Sequence, residues 1–311
     1  TGPTVVSNGT LCIAGGLPAN NALAVAVGGE ALIGGSATQS VAAASLALDA
    51  GATLGFAIAL DGSTNDRLTV ATSPSFAPGS RVALYQLNTR LPFTRNGTYT
   101  LLAYSGADPA AANLSCANAA YGKTYTFVAS GGNLTLTIAS DASTASVWNV
   151  DAGGNWSDNG NWTVAPSGAA GSQVRFDSAI TTPATVASAG ETVGGIYLNN
   201  AAAYTLGGTG LTLDNNTEPA LVNVESGSHR ITAPLTLDGD TTLNLSASTL
   251  LTLGAATGAS ATLSAQGNGT LALAGELSVQ ALSVNVAEIG VSNTLTLTPP
   301  VALQRSITVR P

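Results

Sequence analysis

The feature that most constrains this chain is a short alternation of apolar and small polar residues, broken by glycine, recurring almost from end to end. TLCIAGG, LAVAVGG, EALIGG, ASLALDAG and ATLGFAIALDG fill most of residues 10–62. GGIYLNN, AYTLGG, GLTLDN, LVNVESG, RITAP, LTLDG, TTLNLSAS, LLTLG, ATLSAQG, GTLALAG, LSVNVAEIG and NTLTLTPP follow after residue 190. A period of two is that of a strand with one buried face, and Gly-Gly, Ala-Gly and Asp-Gly close the runs as turns. No stretch of convincing length has the helical period. Even the alanine-rich segment from Ala42 to Leu48 alternates through Leu46 and Leu48. The chain is expected to be all-β.

Successive runs start roughly 8 to 10 residues apart, which suits either a sandwich or a coil of short strands. The runs are uniform, aromatic residues are only 5% of the chain, and Thr and Asn recur at the run ends. That pattern favours a β-solenoid in which like residues stack on like. Three short strands per turn predict ~20 to 30 residues per turn, with turns ~4.8 Å apart. Residues 66–138 carry longer strands and most of the tyrosines, so a sandwich-like or capping portion is expected there. Within it, YGKTYTFVASGGNLTLTI reads as a hairpin around Gly131-Gly132. DASTAS, residues 141–146, reads as a linker between a module at 1–140 and another at 147–311. The second module opens on WNVDAGGNWSDNGNWTVAPSGAAGSQVRF, which holds Trp148, Trp156 and Trp162, all the tryptophan in the chain.

Charge excludes several functions. Charged residues are 8% of the chain, the net charge is −8 and Lys123 is the sole lysine. No basic patch exists for a phosphate backbone, so nucleic acid is not an expected partner. No apolar run approaches the ~20 residues of a membrane helix, so membrane insertion is not expected. The chain lacks methionine, so Thr1 is not a translation start, and a processed product or an excerpt is expected.

The segment from Trp148 to Phe176 resembles the opening of bacterial autotransporter-associated β-strand repeat modules, with W…G.W…NW, a proline and a strand ending in Phe. YTLGGTGLTLDN, ITAPLTLDGDTTLNLSASTLLTLG and GNGTLALAG resemble the coils of that family. ASLALDAGATLGFAIALDGSTNDRLTV, GTYTLLAYSG and YTFVASGGNLTLTI resemble the end of such a module. The resemblance covers most of the chain and is specific for architecture. It implies a right-handed β-helix on a bacterial surface or in a secreted protein, with no shared catalytic residues. The order is then unusual, because the chain begins with the end of one module and finishes with the start of another. One period of a tandem array, ends that meet between molecules, or two unrelated modules would each explain this.

Few residues suggest chemistry. Cys12 and Cys116 could close one disulfide in an oxidising compartment or remain two buried thiols, and the disulfide is the expectation taken. His229 has no second histidine to act with and reads as structural. The acids Asp49, Asp61, Asp66, Asp214, Asp238, Asp240, Glu276 and Glu288 are scattered, against the clustered acids of a polysaccharide lyase or hydrolase. DGSTND around Asp61 and Asp66, and DGD at Asp238 and Asp240, have calcium-like composition, but turn chemistry explains both and no metal or other cofactor is expected. The tryptophans are either a glycan-contacting platform or a cap sealing the end of a coil. Nine N-x-S/T sequons, Asn8, Asn96, Asn133, Asn161 and Asn268 among them, fit chance in so Asn- and Thr-rich a chain. The expectation is a non-enzymatic structural subunit of an extracellular or cell-surface bacterial fibre that partners copies of itself through strand edges. An adhesin binding glycans is the first alternative and a β-helix lyase or hydrolase the second.

Overall fold

The structure, a computed structural model, describes residues 2–17 and 21–291, and beyond them the backbone strands Leu295–Leu297, Ala302–Leu303 and Thr308–Val309. Parts of the NTLTLTPP run, with Arg305 and Arg310, lie outside the described residues. The chain is all-β and winds into a β-solenoid of about 13 turns in all. It divides into two compact units, Thr1–Ser140 and Asp141–Pro311. Asp141, the first residue of the expected linker, accepts from the Ser143 amide and both hydroxyls of Ser143 and Thr144, so this stretch is a turn closed by its own side chain.

Unit 1 has three walls. Wall A stacks Thr4–Val6, Ala22–Val25, Ser45–Leu48 and Ser75–Phe76 in parallel. Wall B stacks Gly9–Ile13, Gly29–Ile33, Thr53–Ile58, Ser80–Gln86 and Leu114–Cys116, also in parallel. Wall C stacks Ser40–Ala43, Arg67–Val70 and Gly97–Tyr104. From Ala22 to Tyr104 the chain visits A, B and C in rotation, because each alternating run can bury only one face, and a coil buries all of them around one axis. In register, Leu23 stacks on Leu46 and Val41 on Leu68, which stacks on Leu102. These form one core with Ile33, Leu54, Phe56 and Leu84. Residues 66–104 are thus further turns of the coil, and the sandwich-like expectation is corrected. Their extra length is wall strand, not a second layer.

Among the described strands of unit 1, those at its end depart from the parallel pattern. Lys123–Ser130 and Asn133–Ser140 form the expected hairpin, Ser130 opposite Asn133, and the second strand pairs antiparallel with Gly97–Tyr104. Gly131 and Gly132 both take positive φ, 57° and 76°, as the two-residue turn matching strand twist demands. Leu134, Leu136 and Ile138 face the core from this strand.

Unit 2 repeats the scheme on walls X, Y and Z. Wall X stacks Ser146–Val147, Gln173–Phe176, Gly195–Asn199, Ala220–Ser226 and Thr241–Leu245. Wall Y runs from Gly154–Asn155 through Ala184–Ser188, Tyr204–Gly208, Ser228–Ile231, Leu250–Leu253 and Thr270–Leu273 to Glu288–Val291. Wall Z stacks Glu191–Val193, Leu211–Leu213 and Leu235–Leu237. Thereafter the corner from Z to X disappears. Ala256–Gly267 and Leu277–Asn285 are single strands that pair with both walls, with a register shift between Gly258 and Thr262 where they bend. Val174 pairs with Ile196, Ile196 with Val222, Val222 with Leu243 and Leu243 with Ala265, so a turn takes roughly 20 to 26 residues, as expected of such a coil.

The expected bridge between Cys12 and Cys116 is not formed; both are free thiols. They lie on the two opposite edge strands of wall B. Four strand spacings of ~4.8 Å separate those edges, ~19 Å, whereas a disulfide needs Cα atoms within ~7 Å. Spacing along the sequence carried no information about that separation.

Candidate functional site

The most elaborate arrangement of side chains lies where unit 2 begins. Ser146–Val147 and Gly154–Asn155 are too short to fill a turn, and the aromatic rings fill its interior instead. Trp148, Trp156 and Trp162 are 1%, 1% and 4% exposed. Trp148 and Trp162 meet edge to face at 5.2 Å, and both Trp156 and Trp162 lie 5.4 Å from Phe176. Offset or edge-on contact is what ring quadrupoles favour. The backbone binds them to the next turn, with the Trp148 amide donating to the Arg175 carbonyl and that of Trp156 to the Ala187 carbonyl. The Trp148 Nε1–H donates to the Ala152 carbonyl and that of Trp162 to the Trp156 carbonyl. Between the last two rings, Asp158 caps the short helical turn Asn159–Asn161 by accepting from the Gly160 amide. A glycan platform needs ring faces open to solvent, so the glycan-contacting expectation is corrected. The rings are the plug of the coil.

The plug continues as a column. Phe176 packs on Tyr204 at 5.2 Å, and Tyr204 on His229 at 6.0 Å. His229 then stacks in register on Leu251, and that on Leu271. His229 is fully buried. Its Nδ1 accepts from the Tyr204 amide at 3.1 Å, so its Nε2–H must donate to the Ser226 carbonyl at 2.7 Å. Both nitrogens are committed, and the ring is the neutral Nε2–H tautomer. Burial holds its pKa below the ordinary histidine value. Gly227 takes φ +84°, and a side chain there would collide with the Asn200 carbonyl, which explains the Gly-Ser-His sequence. Burial likewise pushes the Tyr204 hydroxyl up to about 12, so it stays a donor, to the Asp177 carbonyl at 2.8 Å.

Beside the plug lies an ion cluster that no motif announces. Arg175 is fully buried, and its guanidinium meets Asp177 and Glu225, each at 2.9 Å. It also lies 5.2 Å over the Tyr197 ring, which is its neighbour in register. Burial alone would lower the guanidinium pKa, but the Glu225 and Asp177 carboxylates more than offset this and raise it. The one available signal was an arginine inside QVRF, between core positions of a strand. A second cluster spans wall B of unit 1. Glu30 accepts from the Tyr85 hydroxyl at 2.8 Å, from Arg90 at 3.0 Å and from the Thr10 hydroxyl at 2.8 Å. Burial and the Glu30 bond push the Tyr85 hydroxyl up to about 12. These residues are up to 80 positions apart in sequence, so only the coil brings them together.

The acids singled out earlier are dispersed into structural duties. Asp66 is buried and accepts from the Gln39 and Ala57 amides, while Asp61 accepts from the amide and hydroxyl of Ser63. Asp240 accepts from the Thr262 amide of the next turn. Asp49, Asp214 and Asp238 occupy equivalent corners, each donating its amide to the preceding turn, to Val25, Val193 and Leu213 respectively. The Glu276 carbonyl accepts from the Ala256 amide, and Glu288 opens a strand of wall Y. Among the described residues, no group of three or more His, Cys, Asp and Glu comes together that could hold a metal ion. Of the thiols, burial pushes Cys116 up to about 11, so it is a poor nucleophile at neutral pH. Among the described residues, no helix is long and apolar enough to cross a membrane.

No protein-family model matches the chain, and no curated protein or solved structure matches it significantly.

Proposed function

We propose that this chain is a structural subunit of a secreted or surface-attached bacterial fibre, non-enzymatic, and related to autotransporter-associated β-strand repeat proteins. The observation that carries this reading is the in-register stacking of like residues on parallel turns. Leu211 sits on Leu235, Leu213 on Leu237, Asn223 on Asn244 and Leu251 on Leu271. A coil made this way lengthens by adding turns, since each parallel strand is a template for the next. Low charge and corners occupied by turn-forming Asp, Asn and Gly suit a durable extracellular material. The adhesin alternative rested on the tryptophans, whose rings are buried, and no particular observation favours the lyase alternative.

Electron microscopy and fibre diffraction of the purified chain at high concentration test the reading. Filaments with a ~4.8 Å repeat along the axis are expected. A monodisperse monomer at every concentration, by light scattering, would overturn it.

A further inference from the structure

The parallel ladder between Tyr204–Gly208 and Ser228–Ile231 pairs Thr205 with Arg230 and Leu206 with Ile231. One position earlier Tyr204 stands beside His229, and there the Tyr204 amide has a side chain for its acceptor, the His229 Nδ1 at 3.1 Å. An imidazole takes the part that a backbone carbonyl plays elsewhere on wall Y. A carbonyl accepts at any pH, whereas Nδ1 accepts only while it carries no proton. The other nitrogen cannot stand in, because its N–H is donated to the Ser226 carbonyl at 2.7 Å. A second proton would set N–H against N–H inside a fully buried site.

This rung holds the plug. The Tyr204 ring packs on Phe176, and Phe176 on Trp148, Trp156 and Trp162. The strand Tyr204–Gly208 also pairs with Ala184–Ser188, whose Ala187 carbonyl receives the Trp156 amide. On its other side His229 stacks on Leu251 and then Leu271, which do not answer to protons. Neither ring nitrogen meets a carboxylate. Glu225, just before Ser226, and Asp177, beneath Tyr204, are both turned to Arg175. Asp151, the other acid acting on Tyr204, accepts from the Thr181 amide, and Arg230 is exposed on the outer face. The Tyr204 hydroxyl keeps its proton far above neutrality. His229 is therefore the group of this column that changes charge between about pH 5 and 8.

We infer that His229 is an acid-sensitive latch on the tryptophan plug: uptake of one proton releases the turns from Trp148 to His229, while those built on Leu251 and Leu271 stay wound. This goes beyond the fibre reading and stands without it. The sign follows from burial, which holds the folded imidazole below its ordinary value, whereas release restores it to about 6.5. Opening is thus favoured as pH falls through that value, and it gives the indole rings access to solvent.

Hydrogen exchange in the full chain, read by NMR, tests this. The opening constants of the Trp148, Trp156 and Tyr204 amides, corrected for the intrinsic effect of pH, should rise about tenfold for each unit below about pH 6.5, the linkage of one proton. The Thr270 amide, bonded to the Thr249 carbonyl, and the Tyr104 amide, bonded to the Gly132 carbonyl in unit 1, should keep theirs. His229→Gln, whose amide can accept from Tyr204 and donate to Ser226 without titrating, should abolish the rise. His229→Leu, which extends the apolar column, serves in its place should the Gln variant not fold. Opening constants that ignore pH, or that rise as steeply in these variants, would overturn the latch. So would an equal rise at Thr270, because the whole unit would then be unfolding. The chain has one histidine, so its imidazole nitrogen signals are unambiguous, and a Nδ1–H tautomer at neutral pH would overturn the rung itself.

Discussion

Both units solve the same problem, an alternating strand pattern with one apolar face, and they end their coils by different means. Unit 1 stops by extending one wall with an antiparallel hairpin, held by backbone hydrogen bonds and two glycines in a tight turn. Unit 2 starts on a plug of indole rings resting on Phe176 and Tyr204. A hairpin is local in sequence and cheap in side chains, whereas a plug draws on residues from Trp148 to His229. The units also differ in charge. Arg67, Arg81, Arg90, Arg95 and Lys123 balance Glu30, Asp49, Asp61, Asp66 and Asp108 in unit 1, so the whole net charge of −8 falls on unit 2. The comparison teaches that a common coil tolerates very different terminators and surface charge, because core stacking alone sets the architecture.

The largest test of that contrast removes the plug. Trp148→Ala should cost unit 2 about 3 to 5 kcal/mol, as large-to-small changes in packed cores do. Calorimetry should show the unit 2 transition falling while that of unit 1 stays in place. Equal shifts in both would mean that the two units do not unfold separately. The corresponding change in the hairpin is smaller. Gly132→Ala forces a side chain into the left-handed region, at about 1 to 2 kcal/mol, and it also crowds the Tyr104 carbonyl at 2.9 Å. Gly131→Ala meets nothing within 4 Å and should cost less, so the ratio of the two separates backbone strain from collision.

Next comes pH. His229 is buried in its neutral form, with a folded pKa below the ordinary value. The unfolded chain therefore takes up a proton first. The stability of unit 2 should be full above about pH 6.5 and decline as pH falls through that value towards the folded pKa. His229→Gln should flatten this dependence in a melting series across that range, and unit 1 contains no histidine to imitate it. An equally steep dependence in the variant would assign the effect to carboxylates. The smallest expected effect is that of salt. Unit 2 carries its net negative charge partly at successive corners, Asp214 and Asp238, so added salt should raise its melting temperature by a few degrees and barely move that of unit 1. A larger rise for unit 1 would contradict that assignment.

What the sequence disclosed follows from where the physics is local. Alternation and Gly-rich turns depend on neighbouring residues, so the strands, the hairpin at Gly131-Gly132 and the coil itself were legible. The tryptophans were recognised as a candidate cap, but their mutual packing required the turn containing Phe176. Arg175 with Glu225, and Glu30 with Tyr85 and Arg90, were invisible, because partners on different turns are set by how many residues each turn spends at its corners. The same variable separated Cys12 from Cys116. The reading of residues 66–138 as sandwich-like or capping took strand length and tyrosine content as signs of a separate portion; residues 66–104 are wider walls of the coil, whereas the hairpin from Lys123 does end the unit.

The seam where walls Z and X merge has a further consequence. Between Leu213 and Ala220 the chain crosses from Z to X by a six-residue loop, whereas Ala256–Gly267 and Leu277–Asn285 cross as unbroken strand. Inserted sequence is accommodated where backbone groups already face water and is rejected where they are paired. The early turns of unit 2 can therefore be elaborated, by natural insertion or by a grafted peptide, at the exposed tip around Asn216 and Thr217, while the turns built on Ala256–Gly267 and Leu277–Asn285 present a smooth seam there.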